Sequence, residues 1–396
     1  MERWRRQPPA YSPVSAAALW CGLRAIFGQA AQHDVLTKLA AKYTPERIVL
    51  TDTGTSALRL AVRAALEMHP GHVALPAYCC YDVSTAAEGA DARVLLYDLD
   101  PSSLSPDVAS LDRAIRKGAT AVVVVHLYGI PVDARLLESL RDREGLVLIE
   151  DAAQGIGATL GGRRVGSFGD LSVLSFSRGK GMTGGGGGAL LARGSLGTAA
   201  IDVLPRPANG AAGLRALLRA AAVWLLARPA VYGLVARLPF LRLGETIYRK
   251  PRPSSGIPRA AVGILSRTLE ESEREAGIRK TNASELIEHI RTRPGRLTPV
   301  QPPIGSDPGY LRLPVLLPAR MVDAAPSAAR RLGIASGYPS PLSRLESCRL
   351  ICDNLDESFP GAESLAVRLV TLPTHSLLRP DDVEALCLWT SRQVQV

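Results

Sequence analysis

The feature that most constrains this 396-residue chain is a train of short, continuously apolar runs, each separated from the next by a segment of helical periodicity. Residues 47–51, 73–76, 93–96, 121–125 and 146–150 are too short and too uniformly apolar for amphipathic helices, and 121–125 is one Ala followed by four Val. The intervening stretches 57–68, 84–89, 108–117 and 134–144 repeat apolar residues at helical spacing. Strands that lack an in-out alternation are buried on both faces. The pattern therefore predicts an α/β fold, with a mainly parallel sheet covered by helices. Ligands in such sheets bind beyond the carboxyl ends of the strands. Two more strands are expected at 171–176 and 189–191.

The composition changes after residue 203. From 203 to 244 there is no acid, but six Arg occur among many Ala and Leu, and Pro229 and Pro239 divide the stretch. Helices are expected at 260–276, 282–291, 321–332 and 381–393, with a strand at 310–317. We place a boundary near 245. The expected domains are a large α/β domain over 1–244, carrying a basic apolar helical insertion at about 203–244, and a smaller α+β domain over 245–396.

With 46% hydrophobic and 21% charged residues the chain is neither disordered nor a disulfide-dense framework. The six Cys form no CxxC pair and no His stands at zinc-finger spacing, so no metal site is expected and the thiols read as reduced, in a cytoplasmic protein. No run of about 18 apolar residues offers a simple transmembrane helix. The basic start is followed by prolines and by Arg24, without a small-residue cleavage site, so no signal peptide is expected. Net charge is +10, yet the Arg are dispersed and no nucleic-acid module is visible.

The chemistry concentrates in three segments: Glu150-Asp-Ala-Ala-Gln154, Gly166-Ser-Phe-Gly-Asp170, and Ser175-Phe-Ser-Arg-Gly-Lys180 with Gly184 to Gly188 after it. A carboxylate ending a buried strand, hydroxyls and a lysine in one loop, and glycines that admit the backbone to a ligand suit an anionic, electron-withdrawing cofactor. Pyridoxal 5'-phosphate needs these parts: a lysine for its aldehyde, a carboxylate for its ring nitrogen, and hydroxyls with helix-start N–H groups for its phosphate. Gly54-Thr-Ser56 opens a helix. Lys180 is one of only six lysines. Asp151 alone would read as a helix cap, and Thr55 and Ser56 as capping hydroxyls; capping and phosphate binding draw on the same N–H groups.

At these residues the sequence resembles the DegT/StrS-type nucleotide-sugar aminotransferases, which are fold-type I and pyridoxal phosphate-dependent. The resemblance runs through Gly54-Thr-Ser-Ala-Leu58, Pro76-Ala-Tyr, Asp98-Leu-Asp-Pro101, His126-Leu-Tyr-Gly129, Glu150 to Gln154, Gly166 to Asp170 and Ser175 to Lys180. It resumes at Tyr338-Pro-Ser-Pro-Leu342 and Leu372-Pro-Thr-His375. It implies that Lys180 is the catalytic, cofactor-bearing lysine, that Asp151 faces the ring nitrogen and Gln154 the ring hydroxyl, and that Thr55, Ser56 and Ser175 hold the phosphate. Strict register puts Cys80 where an aromatic commonly stacks on the ring, with Tyr78 or Tyr81 as substitutes. It also implies a homodimer with active sites at the subunit interface.

Three departures stand out: Gly186 where an acid is usual in the glycine run, no Asn-x-Arg signature near Ser255 to Arg259, and Ser343 where a His is common. The implied activity is amino transfer from an amino acid such as glutamate to a nucleotide-linked keto-sugar for surface polysaccharide or glycoconjugate. A second reading, a non-catalytic membrane-associated scaffold or regulator retaining the fold, rests on those departures. The intact Lys180, Asp151 and Gln154 weigh against it. His126 reads as a satisfied strand-end histidine, and Cys348 and Cys352 as packing residues. Arg215 and Arg219 share a face beside Leu214 and Leu218, so residues 203–244 suit an anionic membrane surface or a helical cap on the enzyme itself.

Overall fold

The computed structural model describes residues 5–28, 31–194, 196, 208, 210–236, 246–292, 297–318 and 327–392. Helices α1 (Ala16–Phe27) and α2 (Ala31–Tyr43) precede strand β1 (Arg47–Thr51). Helices and strands then alternate as α3 (Gly54–Met68), β2 (His72–Pro76), α4 (Tyr81–Gly89), β3 (Val94–Tyr97), α5 (Val108–Arg116), β4 (Ala119–Val125), α6 (Ala134–Arg141) and β5 (Val147–Asp151). A small hairpin, β6 (Thr159–Leu160) and β7 (Arg163–Arg164), leads to β8 (Leu171–Ser175) and β9 (Gly188–Ala192).

Seven strands form one sheet in the order β1-β9-β8-β5-β4-β2-β3. The neighbours from β8 to β3 are all parallel, and β9 runs antiparallel between β1 and β8. This is the mainly parallel α/β sheet that the apolar runs require. Val122, Val123 and Val124 of β4 are fully buried, as expected of a strand sandwiched between helices. Helix α3 contributes Ala57, Leu60, Ala61, Ala64 and Ala65 to the same core, at the spacing of one helical face.

After the sheet come α7 (Gly210–Leu226), α8 (Pro229–Val235) and α9 (Arg259–Thr292). The two helices expected at 260–276 and 282–291 are one continuous 34-residue helix. Gly277 interrupts the apolar pattern, but the helix runs through it because Ala276, Arg279 and Ala283 around it are buried. Of the 203–244 insertion, 203–207, 209 and 237–244 lie outside the described residues, Pro239 among them. So do 321–326 of the expected helix 321–332, whose described part holds α10 (Ser327–Arg331).

The C-terminal region forms a four-stranded antiparallel sheet, β10 (Thr298–Pro299), β12 (Leu313–Leu316), β14 (Leu369–Leu372) and β13 (Ala335–Ser336), in that order. Strand β11 (Ser306–Asp307) instead pairs with β6. Helices α11 (Glu346–Arg349), α12 (Pro360–Arg368) and α13 (Pro380–Arg392) accompany this sheet.

Several polar contacts join the two sheets. Asp98 accepts the Gly361 and Ala362 N–H groups (2.8 and 2.7 Å), capping α12 from the end of β3. Asn354 accepts the Leu96 N–H and donates to the Leu96 carbonyl, closing the free edge of β3. The N-terminal segment is tied to the C-terminal region by Arg5 on Asp382 (2.5 and 2.6 Å) and by His375 Nε2 on the Pro8 carbonyl (2.7 Å). Asp98 leaves two helix-start N–H groups unpaired when removed. We predict that Asp98→Ala lowers stability by about 1–2 kcal/mol, read as a lower urea midpoint with an unchanged slope.

Candidate active site

The carboxyl ends of β1, β5 and β8 meet on one edge of the sheet. Thr51 and Ser175 both pair with Gly188 across β9, and Asp151 pairs with Val173 on β8. Helix α3 starts on this edge. A Cβ on Gly54 would lie 2.7 Å from the Ser175 Cβ, and one on Gly188 2.6 Å from the Thr53 carbonyl oxygen, so glycine at both places lets α3 sit directly on the sheet. Thr53 Oγ1 caps the helix by accepting the Ser56 N–H (3.0 Å). The Gly54 and Thr55 N–H groups ahead of it have no intrahelical acceptor and face where an anion is favoured.

One cavity opens there, lined by Gly54, Thr55, Cys80, Asp82, Asp151, Ser175, Ser177 and Lys180, with Leu58, Val83 and Val173 as its apolar wall. The structure thus brings Thr55, Asp151, Ser175 and Lys180 together from three stretches of sequence. Ser56 and Gln154 do not line this cavity. The Ser56 hydroxyl turns back to Thr53, accepting from its Oγ1 (2.9 Å). Both ends of Gln154 are engaged: Oε1 accepts the Tyr128 N–H (3.1 Å), and Nε2 donates to the Tyr338 hydroxyl (2.8 Å). A wider cleft of about 720 Å³ between α9 and α13 is lined by Glu285, His289 and Asp381 among others, and none of the sheet-edge residues reaches it.

Asp151 is buried, and its Oδ1 accepts the Ala153 N–H (2.9 Å). Burial pushes its carboxyl above the usual carboxylate range, against the pull of the Lys180 ammonium and the Ala153 N–H. A carboxylate held this way favours a cationic N–H donor in the cavity. Cys80 lines the same cavity, and burial, with Asp82 adding to it, pushes its thiol up to about 11. It is therefore a neutral wall and not a thiolate nucleophile. Tyr78 and Tyr81 lie elsewhere: Tyr78 packs edge-on against Tyr338, and the Tyr81 hydroxyl meets Ser340 (2.7 Å).

Glu150, next to Asp151, has a different task. It is fully buried and accepts the N–H groups of Gly166 (2.6 Å), Phe168 (2.8 Å) and Gly169 (2.9 Å) and the Ser172 hydroxyl (3.1 Å). His126 Nδ1 accepts the Val132 N–H (3.1 Å), so its Nε2 carries the proton that it donates to Glu150 (3.0 Å). Burial alone would raise the Glu150 carboxyl, but His126 and the Gly166 and Gly169 N–H groups outweigh it and bring it down to about 2. His126 is thus a satisfied structural histidine outside the cavity.

The glycine run returns the chain from Lys180 to β9 through a narrow space. A Cβ on Gly185 would lie 2.4 Å from the Ala216 carbonyl oxygen of α7, and one on Gly184 2.7 Å from the Ala261 carbonyl oxygen of α9. Gly185 also has φ 76°, in the left-handed region. Arg279, fully buried on α9, donates to the Gly309 and Ile156 carbonyls (3.0 and 2.9 Å), and a Cβ on Gly181 would lie 3.2 Å from its Nη1. Sequence reasoning missed Thr53, Ser177 and Arg279. The first two carry a weak signal, as hydroxyls one or two positions from the residues singled out.

The model of the DegT/DnrJ/EryC1/StrS aminotransferase family matches residues 28–207, which hold every lining residue of this cavity. The match covers somewhat less than half of the chain. Among curated proteins it is similar to the UDP-N-acetyl-3-dehydro-alpha-D-glucosamine 3-aminotransferase of Acidithiobacillus ferrooxidans, with 29% identity over 84% of this chain and 80% of that one. It is also similar to the L-glutamine:2-deoxy-scyllo-inosose aminotransferase of Streptoalloteichus tenebrarius, 39% identical over 35% of this chain and 33% of the relative. Among solved structures, Helicobacter pylori PseC, an aminotransferase involved in pseudoaminic acid biosynthesis, superposes with TM-score 0.76 over 99% of this chain and 100% of its own at 13% identity. AtS13 from Actinomadura melliaura gives 0.74 over 98% and 99% at 25% identity.

The cofactor of this family is pyridoxal 5'-phosphate, and the donor set fits it: a lysine amine, a buried carboxylate that favours a cationic N–H, and hydroxyls at a helix N-terminus on one cavity. The Glu150 contacts carry a pH signature. Its carboxyl lies below its ordinary 4.5, so its contribution to stability is complete above that value and is lost as pH falls toward about 2. Glu150→Gln is therefore expected to lower the urea midpoint most at neutral pH, with the gap to the natural protein narrowing below about pH 4.5.

Proposed function

We propose that this protein transfers an amino group from an amino acid, glutamate or its like, to the keto group of a nucleotide-linked sugar in the making of a surface polysaccharide or glycoconjugate. The observation that carries this reading is the convergence of Lys180, Asp151, Ser175 and the α3 N-terminus on one cavity. The sugar aminotransferase relatives supply the substrate class. Bound pyridoxal phosphate supplies the aldehyde that takes up the amino group and the ring that withdraws electrons from the donor's α-carbon.

The chain's residues have separable parts in this scheme. Lys180 Nζ holds the cofactor between turnovers and, once freed, carries the proton away from the donor's α-carbon. Asp151 keeps a proton on the ring nitrogen. Thr55, Ser175 and the Gly54 and Thr55 N–H groups bind the phosphate, with Ser56 holding the cap in place through Thr53. Gln154 braces Tyr128 and Tyr338 beside the site. The missing acid of the glycine run, at Gly186, is not explained by crowding: a Cβ there would come no closer than 3.9 Å to its nearest neighbour, the Asp52 carbonyl oxygen. What weighs against a non-catalytic scaffold is the cavity itself, on which Lys180, Asp151 and Ser175 converge.

We further infer a homodimer, as the family resemblance implies, working in the cytoplasm, with the basic apolar helices of 203–244 bringing it to the inner face of a membrane. The test is turnover. With glutamate and a nucleotide-linked keto-sugar, mass spectrometry should show the amino-sugar and 2-oxoglutarate forming together, with ping-pong kinetics. Lys180→Ala should cut kcat by about 10²–10⁴-fold while leaving the urea midpoint nearly unchanged. Failure to aminate any keto-sugar despite cofactor binding would contradict the substrate class.

A further inference from the structure

Helices α1 and α7 lie beside each other on the first turns of α9. A Cβ on Gly263 would lie 2.5 Å from the Cys21 carbonyl oxygen, and one on Gly22 2.6 Å from the Ile264 side chain, so α1 seats on α9 at close range. Helix α7 turns Ala216 and Ala220 inward, onto the glycine run and its neighbours. Ile26 of α1 reaches Gly213 of α7, and Val14, Ala18, Ala220 and Ile264 form a small shared core. The inward faces of both helices are thus fully engaged.

Their outward faces are apolar and cationic. On α1, Trp20, Leu23, Arg24 and Phe27 fall at i, i+3, i+4 and i+7, one stripe, with Trp20 60% and Phe27 85% exposed. On α7, Leu214 and Leu218 are more than half exposed beside the exposed Arg215 and Arg219. Helix α8, bent 104° from α7, adds an exposed Leu234, and Arg228 stacks on Trp224 (4.3 Å). No Asp or Glu occurs in residues 3–33 or 203–244. Among the described residues no single helix is long and apolar enough to cross a membrane.

We propose that the α1 and α7 faces together form one docking surface for an anionic lipid bilayer, with both helices lying in the headgroup layer. The proposal rests on the membrane reading given above for 203–244 and extends it to α1, which that reading left out. Large apolar side chains among cations, with no acid on either helix, match a layer that is apolar below and anionic above. A second copy on a two-fold axis would set arginines against arginines, with no carboxylate on either helix to pair them. Docking through the outer face of α7 would hold the glycine run, and Lys180 before it, close to the bilayer.

The experiment is co-sedimentation of the full-length, cofactor-loaded protein with vesicles of phosphatidylglycerol and phosphatidylcholine, against phosphatidylcholine alone. Binding to the anionic vesicles should be about tenfold stronger or more, and weaker in high salt. Trp20→Ser with Phe27→Ser, Leu214→Ser with Leu218→Ser, and Arg24→Glu with Arg219→Glu should each reduce it by about tenfold, with the cofactor absorbance unchanged. Equal binding by the Trp20/Phe27 pair would remove α1 from the surface. Recovery of the natural protein in the supernatant would overturn the proposal, as would light scattering that shows these variants splitting a dimer into monomers, which assigns the face to a second copy. Loss of cofactor binding by the natural protein would instead sink the aminotransferase reading and leave vesicle binding to stand by itself.

Discussion

The site depends on how the Glu150 carboxylate is held. Successive side chains of a strand point to opposite faces, so Glu150 and Asp151 at the end of β5 cannot face the same way. Glu150 is fixed on one side by His126, by three N–H groups of the 166–169 turn and by Ser172. That fixes the register of the strand end and leaves Asp151 facing the cavity. A buried carboxylate is costly unless its oxygens are satisfied, and here four donors besides His126 meet that need. The same turn is tied to β9 by Arg193, which donates to the Gly169 and Gly166 carbonyls. One ionised group therefore organises the central strand, the turn after it and the position of the functional carboxylate.

Several motif residues act in the same structural way. Asp98 caps α12, His375 holds Pro8, and Thr374 donates to the Tyr310 carbonyl (2.7 Å). Tyr338 receives Gln154 and stands among Tyr78 and Tyr128. These contacts tie the C-terminal sheet to the edge where the cavity opens. The family pattern therefore marks two kinds of residue, those that line the cavity and those that place the second sheet beside it.

That mixture explains what was legible in the sequence. Strands with no polar alternation have one stable environment, so the parallel sheet could be read from β4 and β5 alone. Thr55, Asp151 and Ser175 lie at a helix start or strand ends and Lys180 in the loop that leaves β8, where topology brings them together, and their meeting follows from the fold. Ser56 and Gln154 do not line the cavity: a local hydrogen bond with Thr53 turns Ser56 aside, and tertiary ones with Tyr128 and Tyr338 hold Gln154, which no spacing reveals. Helix α9 was read as two because Gly277 breaks the pattern. The burial of Arg279 two residues on, with its carbonyl partners 30 and 123 residues away in sequence, is a tertiary effect. Helix α1, capped by Ser15 Oγ on the Ala18 N–H (3.1 Å), gave no signal because its outer face is as apolar as its inner one.

The central claim is that Lys180, out of six lysines, is the one that meets the cofactor. The most direct measurement is to load the protein with pyridoxal 5'-phosphate, reduce it with borohydride and locate the modified lysine by peptide mass mapping. The account predicts one stable carbon–nitrogen bond per chain, at Lys180 Nζ, with far less formed when Asp151 is replaced by Asn. A modification spread over Lys38, Lys42, Lys117, Lys250 or Lys280, or none at all, would contradict it.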